Sequence, residues 1–185
     1  MRAKKVNYIT KAYVFDFDDT LVKTNAKIKV YDENHRFIRY LTTNEFKSYE
    51  IDPDYILDFS EFNDPTYILQ GRKYKMWPIL VNVYNAKIQG RSNSDVYILT
   101  ARSEKSKYTI SSFLHRNNID LPLENILTIG NDSDVQEDIA IKKHNILSNL
   151  KKRYDIVNFF DDSIDNIELA KKVDGITTRL VDWIK

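Results

Sequence analysis

Cysteine is absent from the 185 residues, which excludes a disulfide framework, a thiolate nucleophile and a cysteine-bound zinc. Glycine occurs only at Gly71, Gly90, Gly130 and Gly175, so neither a Walker loop nor a dinucleotide fingerprint can be written anywhere. Any phosphate chemistry therefore needs another device. No apolar run approaches the roughly 18 residues that span a bilayer, and the opening MRAKKVNYITK lacks the apolar centre of a secretory signal. The expectation is a cytoplasmic chain with no membrane partner. Excess charge of one sign is also missing: the net charge of +1 creates no global field toward nucleic acid, although Arg72, Lys73 and Lys75 form a local basic cluster.

What is present suits one folded core. Hydrophobic residues make up 42% and charged residues 30%, too apolar for a disordered chain, and the length allows one compact domain with a small insertion. Residues 12–17, AYVFDF, form a short apolar run ending in acids, as a buried strand delivering carboxylates to its C-terminal end would. VYILT at 96–100, NILTIG at 125–130 and DIVNFFDD at 155–162 repeat that design. Each is followed by a helix-like stretch. Ile110, Phe113 and Leu114 fall at helical spacing within 103–117. Ser133 and Gln136 stand three apart, as in a capping box, before Ile139, Ile146, Leu147 and Leu150. Ile164, Ile167, Ala170 and Val173 mark another helix, and ITTRLV at 176–181 another strand.

Strands alternating with helices argue for an α/β fold: a Rossmann-like, mostly parallel sheet with helices on both faces. Ligands of such sheets sit beyond the carboxyl ends of the strands, where Asp16, Thr100 and Asp161 fall. Residues 22–94 break the alternation and read as an inserted cap or flap ending in a core-packing helix, leaving 1–21 and 95–185 as the core. Within it, KIKVYDENHRFIRYL reads as a β-hairpin with Ile28 and Val30 opposite Phe37 and Ile38 and a turn at Asp32 to His35. Thr42 and Glu45 suit the cap of a short helix, Pro78 the first turn of a helix to about Lys87, and the acidic DFSEFNDP a loop.

Four segments carry candidate chemistry. In Asp16-Phe17-Asp18-Asp19-Thr20, two carboxylates two apart reach one small ligand only if the chain turns; one then acts as nucleophile and metal ligand, the other as acid and base. A plain acidic surface turn is the bland alternative. Thr100, followed by Ala101 and Arg102, places a hydroxyl and a backbone amide at a helix start, a phosphate cradle if it is not merely a cap. Asp161 and Asp162 end another apolar run. Magnesium wants oxygen ligands and keeps several waters, so Asp16 with Asp161, assisted by Asp162 or Asp165, would hold it. Ile141-Lys142-Lys143 supplies a cation against the charge of three carboxylates and a phosphate, although paired helical lysines are usually solvated.

In their order, these segments resemble the motifs of the haloacid dehalogenase (HAD) superfamily. The order and spacing look similar to the phosphatase half of bacteriophage polynucleotide kinase-phosphatase and to small capped phosphatases and nucleotidases. DFDDTL is the specific part. The resemblance implies a magnesium-dependent phosphatase with Asp16 as the aspartyl-phosphate nucleophile, Asp18 as general acid and base, and Thr100 and Lys142 on the phosphoryl group. Lys142, which follows an apolar residue 19 positions before Asp161, is preferred to Lys143. Asp16, Asp18, Asp161 and Asp162 form the implied metal set, and Arg102 is a substrate contact. The implied partner is a phosphorylated small molecule, such as a nucleotide, or a nucleic-acid 3′-phosphate end. A phosphotransferase, or a non-catalytic metal- or partner-binding protein, would keep the same residues. His35, His115 and His144 lack metal-ligand spacing, and the many tyrosines and phenylalanines read as packing.

Overall fold

A computed structural model describes residues 9–130 and 139–181. The described residues begin with β1 (Lys11–Phe15), β2 (Val22–Lys23), β3 (Ile28–Tyr31), β4 (Phe37–Leu41), α1 (Thr43–Lys47), β5 (Ile56–Asp58), α2 (Pro65–Leu69) and β6 (Arg72–Lys73). They continue with α3 (Trp77–Ile88), β7 (Ser94–Ser103), α4 (Lys107–Arg116), β8 (Ile126–Gly130), α5 (Ile139–Lys151), β9 (Ile156–Asp161), α6 (Ile164–Ala170) and β10 (Ile176–Leu180). The capping pair expected at Ser133 and Gln136 lies outside the described residues. Among the described residues no helix is long and apolar enough to cross a membrane.

The main sheet has the order β10-β9-β1-β7-β8, and all its pairings are parallel. The chain moves outward from β1 through β7 to β8, then returns to the other side of β1 for β9 and β10. That reversal beside β1 opens a crevice at the carboxyl ends of β1, β7 and β9.

Alternation along each strand divides the core in two. Phe15, Val96 and Ile98 join Trp77, Leu80, Ile110 and Phe113 on one face, under α3 and α4. Ala12, Val14, Tyr97, Leu99 and Phe159 join Leu147, Leu150, Ile167 and Ala170 on the other, under α5 and α6. Both faces are covered, so the strands read as nearly unbroken apolar runs. Enclosing a side chain such as Phe159, with none of its surface left in water, contributes about 1.5–3 kcal/mol. Pro78 sits in the first turn of α3 as expected, and Trp77 beside it meets Phe113 edge to face at 5.8 Å.

Residues 22–73 carry two antiparallel sheets, β2-β6 and β4-β3-β5. The hairpin forms, but in another register: Ile28 faces Leu41, Val30 faces Arg39 and Tyr31 faces Phe37, with an irregularity at Val30/Tyr31. The turn sets this register. The Asp32 carboxylate accepts from the amides of Asn34 and Arg36, and His35 takes a positive φ of 58°. The segment expected as an acidic loop is more ordered than that. β5 ends at Asp58, whose carboxylate accepts from Ser60 N; a 3-10 turn spans Ser60–Asn63, and Asp64 caps α2. The Asp58 and Asp64 carboxylates thus accept from local backbone amides. Thr42 and Glu45 form the reciprocal capping box at α1. A small apolar centre of Ile28, Val30 and Leu41, with Phe46, Leu57 and Phe62 against it, holds the three-stranded sheet.

Candidate active site

The first motif follows β1 directly, and its turn does what two converging carboxylates require. Leu21 N and Val22 N both donate to Phe17 O, at 3.0 and 2.9 Å, and Asp19 N donates to Val22 O at 2.9 Å. Asp19 has a φ of 59°, the left-handed region that Asp and Asn tolerate better than branched residues. Asp16 and Asp19 are buried, and Asp18 is half-buried. The Asp19 carboxylate accepts from Lys23 at 2.6 Å and from the Thr43 hydroxyl, tying the turn to α1. Thr20 Oγ1 is buried with no hydrogen-bond partner among the described residues.

Lys143 is the lysine that meets the acids. Its Nζ donates to Asp16 Oδ1 and Asp161 Oδ2, each at 2.7 Å, and the whole residue is 1% exposed. The expectation for Lys142 is corrected here, since its Nζ donates instead to the Ile129 carbonyl at 3.1 Å. The reason is helical phase. Ala140, Lys143, Leu147 and Leu150 form the buried face of α5, a stripe spaced three and four apart, whereas Ile141 is exposed.

Asp161 has no exposed surface. Its Oδ1 accepts from Ser163 N at 2.8 Å, Asn166 Nδ2 lies 3.0 Å from both oxygens, and Oδ2 takes Lys143. Donors therefore already surround the oxygens that were expected to bind metal directly. Asn166, absent from the expected set, is buried while its neighbour Asp165 is exposed. The signal for it was the N-cap: Ser163 accepts from Asn166 N, which turns that residue back over Asp161.

Burial pushes the Asp16 carboxyl well above the usual carboxylate range; Lys143 pulls it down, and the charges of Asp161 and Asp162 add to the rise. Burial also opposes the Lys143 charge, but Asp16 and Asp161 outweigh it and hold the ammonium above the ordinary lysine range. Lys143 is thus a cation, and two neighbouring carboxylates, Asp16 and Asp161, share it.

Asp18 faces Arg102. The guanidinium donates through Nε to Oδ2 at 2.8 Å and through Nη2 to Oδ1 at 2.7 Å, a two-point clamp. Thr24 Oγ1 adds a bond to Oδ1 at 3.1 Å. Arg102 also donates to Phe62 O, lies over the rings of Phe17 and Phe62 and is 3% exposed. Arg102, expected as a substrate contact, is here a buried partner of Asp18. The same bonds surround the Asp18 side chain expected on the metal.

Thr100 is buried, and its Oγ1 accepts from Arg102 N at 3.2 Å. The strand that carries it runs on to Ser103 with a register shift against β8, so the hydroxyl lies before the strand end. Gly130 allows that bulge. A Cβ there would stand 2.0 Å from the Ala101 carbonyl oxygen.

Among the described residues no three acid or imidazole side chains are already gathered around one point. Magnesium does not need such a cage, because it usually takes one or two carboxylates with waters and substrate phosphate. Asp16 and Asp161 share the one ammonium of Lys143, and a divalent cation fits that surplus of negative charge.

No protein-family model matches the chain, and no curated protein sequence matches it. Among solved structures it is similar to a chain of the Pnkp1/Rnl/Hen1 complex, with 20% identity, a TM-score of 0.57 and 96% of this chain covered. It spans 47% of that longer chain. It is also similar to the HAD domain of effector protein Lem4 from Legionella pneumophila (inactive mutant), at 12% identity and a TM-score of 0.42, covering 93% of this chain and 85% of that one. At these identities the likeness is one of fold.

Proposed function

We propose that the chain is a magnesium-dependent phosphomonoester hydrolase of the HAD type, with Asp16 as nucleophile and Asp18 as acid and base. The observation that carries this reading is the convergence, at one end of a parallel sheet, of Asp16 with Lys143 and Asp161 and of Asp18 with Arg102.

An Asp16 oxygen forms a bond to phosphorus as the phosphorus–oxygen bond to the leaving group breaks. Asp18 donates its proton to the departing oxygen, giving an alcohol and an aspartyl-phosphate. Water then attacks phosphorus, Asp18 takes its proton, and the acyl-phosphate bond breaks to restore Asp16 and release inorganic phosphate. Lys143 keeps the negative charge on Asp16 and on the arriving phosphate tolerable. Asp161, itself held by Asn166, keeps Lys143 in place, and Thr100 and the amides beyond β7 receive the phosphoryl oxygens. Arg102 fixes the rotamer of Asp18, so that one oxygen is presented to the leaving group; it is a positioning residue.

Asp16 and Asp162 would hold magnesium, which when bound neutralises phosphate charge. Asp161 accepts from Lys143, Ser163 and Asn166, and Asp162 follows it directly at the end of β9.

The substrate proposed is a nucleotide or a nucleic-acid 3′-phosphate end. The concavity beside the motif turn supports this, since it combines Lys23 and Lys27 with the rings of Tyr40 and Tyr67, a cation-and-aromatic lining that suits a phosphorylated nucleoside. Release of phosphate from an aryl phosphate and from 3′-phosphorylated nucleotides is expected with magnesium and is expected to vanish in Asp16→Asn. Full activity in that variant would remove Asp16 as nucleophile, and phosphate appearing on an added alcohol would turn the reading to a phosphotransferase.

A further inference from the structure

Lys23 and Arg72 stand directly opposite each other in the β2-β6 ribbon. Opposite residues of an antiparallel pair share a face, and like charges there oppose folding. Asp19 answers the charge of Lys23 at 2.6 Å, whereas Arg72 extends the positive face outward. Gly71 lets the ribbon pack closely: a Cβ there would lie 2.5 Å from Val22 Cγ1 and 3.0 Å from the Ile68 carbonyl oxygen.

The ribbon joins two concavities. The first, of about 620 Å³, includes Lys23, Tyr40, Thr43 and Tyr67. It adjoins the candidate site, because Lys23 and Thr43 bond Asp19 and Thr24, also in its lining, bonds Asp18. The second, of about 480 Å³, includes Arg72, Lys73, Arg116 and Asn117 over Phe113, and no acid lines it. Its cations are oriented: Arg116 Nη2 donates to Leu69 O at 2.9 Å, and Lys73 Nζ lies 5.4 Å from the centre of the Trp77 ring.

We infer that the Lys23/Arg72 ribbon and the second concavity bind the internal phosphates of a single-stranded oligonucleotide whose terminal phosphate lies at Asp16. The inference rests on the phosphatase reading above. Cations that continue away from a phosphate site match a ligand bearing a phosphate at every step. A mononucleotide with one terminal phosphate has no internal phosphate to offer, and a phosphorylated side chain on a peptide brings one dianion only. Tyr40 and Tyr67 line the first concavity, and aromatic side chains beside cations are what single strands stack on. With a net charge of +1 for the whole chain, the attraction comes from this local path.

The test measures kcat/KM, with magnesium, for an aryl phosphate, a 3′-phosphorylated mononucleotide and 3′-phosphorylated oligonucleotides of increasing length. Efficiency is expected to rise about tenfold from monomer to trimer and to fall steeply with salt, because each phosphate contact releases counterions. Arg72→Ala combined with Arg116→Ala, both at exposed positions, is expected to erase the rise. Equal efficiency at all lengths, or a rise that survives the double variant, overturns the inference and leaves the phosphatase reading standing. If no ester is hydrolysed, that reading fails and binding of a fluorescent 3′-phosphorylated hexamer decides the inference alone. Its Kd is expected to increase about tenfold in the double variant; an unchanged Kd overturns it.

Discussion

Arg102 and Asp18 lie 84 positions apart in the chain and share two hydrogen bonds, at 2.8 and 2.7 Å. A fork of fixed geometry locks a carboxylate in a way that a lysine, a point charge, does not. Arg102→Lys is therefore expected to lower kcat about tenfold or more, leaving KM nearly unchanged, because misplacing an acid affects the chemical step more than binding. The pH dependence of kcat is expected to change shape as well. A lysine variant with the wild-type kcat and pH profile would remove the positioning role.

Lys143 is buried against Asp16 and Asp161. Removing one partner of such a cluster leaves uncompensated charge, so Lys143→Met is expected to cost about 3–5 kcal/mol of stability and to abolish turnover. Lys142→Met removes the bond to the Ile129 carbonyl, worth about 1 kcal/mol, and is expected to retain turnover. Urea unfolding of both variants beside a phosphate-release assay tells the two lysines apart, and the opposite ranking would return the assignment to Lys142.

Gly130 presses on the backbone of Ala101 and Arg102. A methyl group 2.0 Å from a carbonyl oxygen forces backbone movement, with an overpacking penalty of about 1–3 kcal/mol. The displaced segment adjoins Thr100 and carries Arg102, so Gly130→Ala is expected to lose activity together with stability. Thermal melting and kinetics on the same preparation check this; wild-type values for both would show that β8 yields freely.

Asp95 sits at the opposite end of β7 from the candidate site. Burial pushes its carboxyl up, but hydrogen bonds from Lys87 and Tyr154 outweigh that and hold it below the usual range. A carboxyl lowered by folding contributes stability that is present above its unfolded pKa, about 3.9, and is lost as pH falls through its folded value. The stability difference between the wild type and Asp95→Asn is therefore expected to be full at pH 6 and to shrink below about pH 4. A difference that grew on acidification would contradict the sign.

Legibility in the sequence followed the range of the forces involved. The capping box at Thr42 and Glu45 and the proline start of α3 were readable because their partners lie within a few residues. The hairpin was readable, but its register was not, since the Asp32 turn and the irregularity at Val30/Tyr31 set it. Lys143 was legible in principle from its spacing to Ala140 and Leu147; the apolar neighbour Ile141 pointed the wrong way because it lies on the other side of the helix.

The sequence alone determined the alternation of buried strands and amphipathic helices, and with it the delivery of Asp16 and Asp161 to strand ends. Burial of short apolar runs is a local property that any reader of the pattern can recover. Only the tertiary structure decided which lysine meets those acids, 127 and 18 positions away, and that Arg102 serves Asp18 from within the core. Those choices depend on the rotational phase of α5 and on where β7 bulges against β8, and packing across the whole sheet sets both.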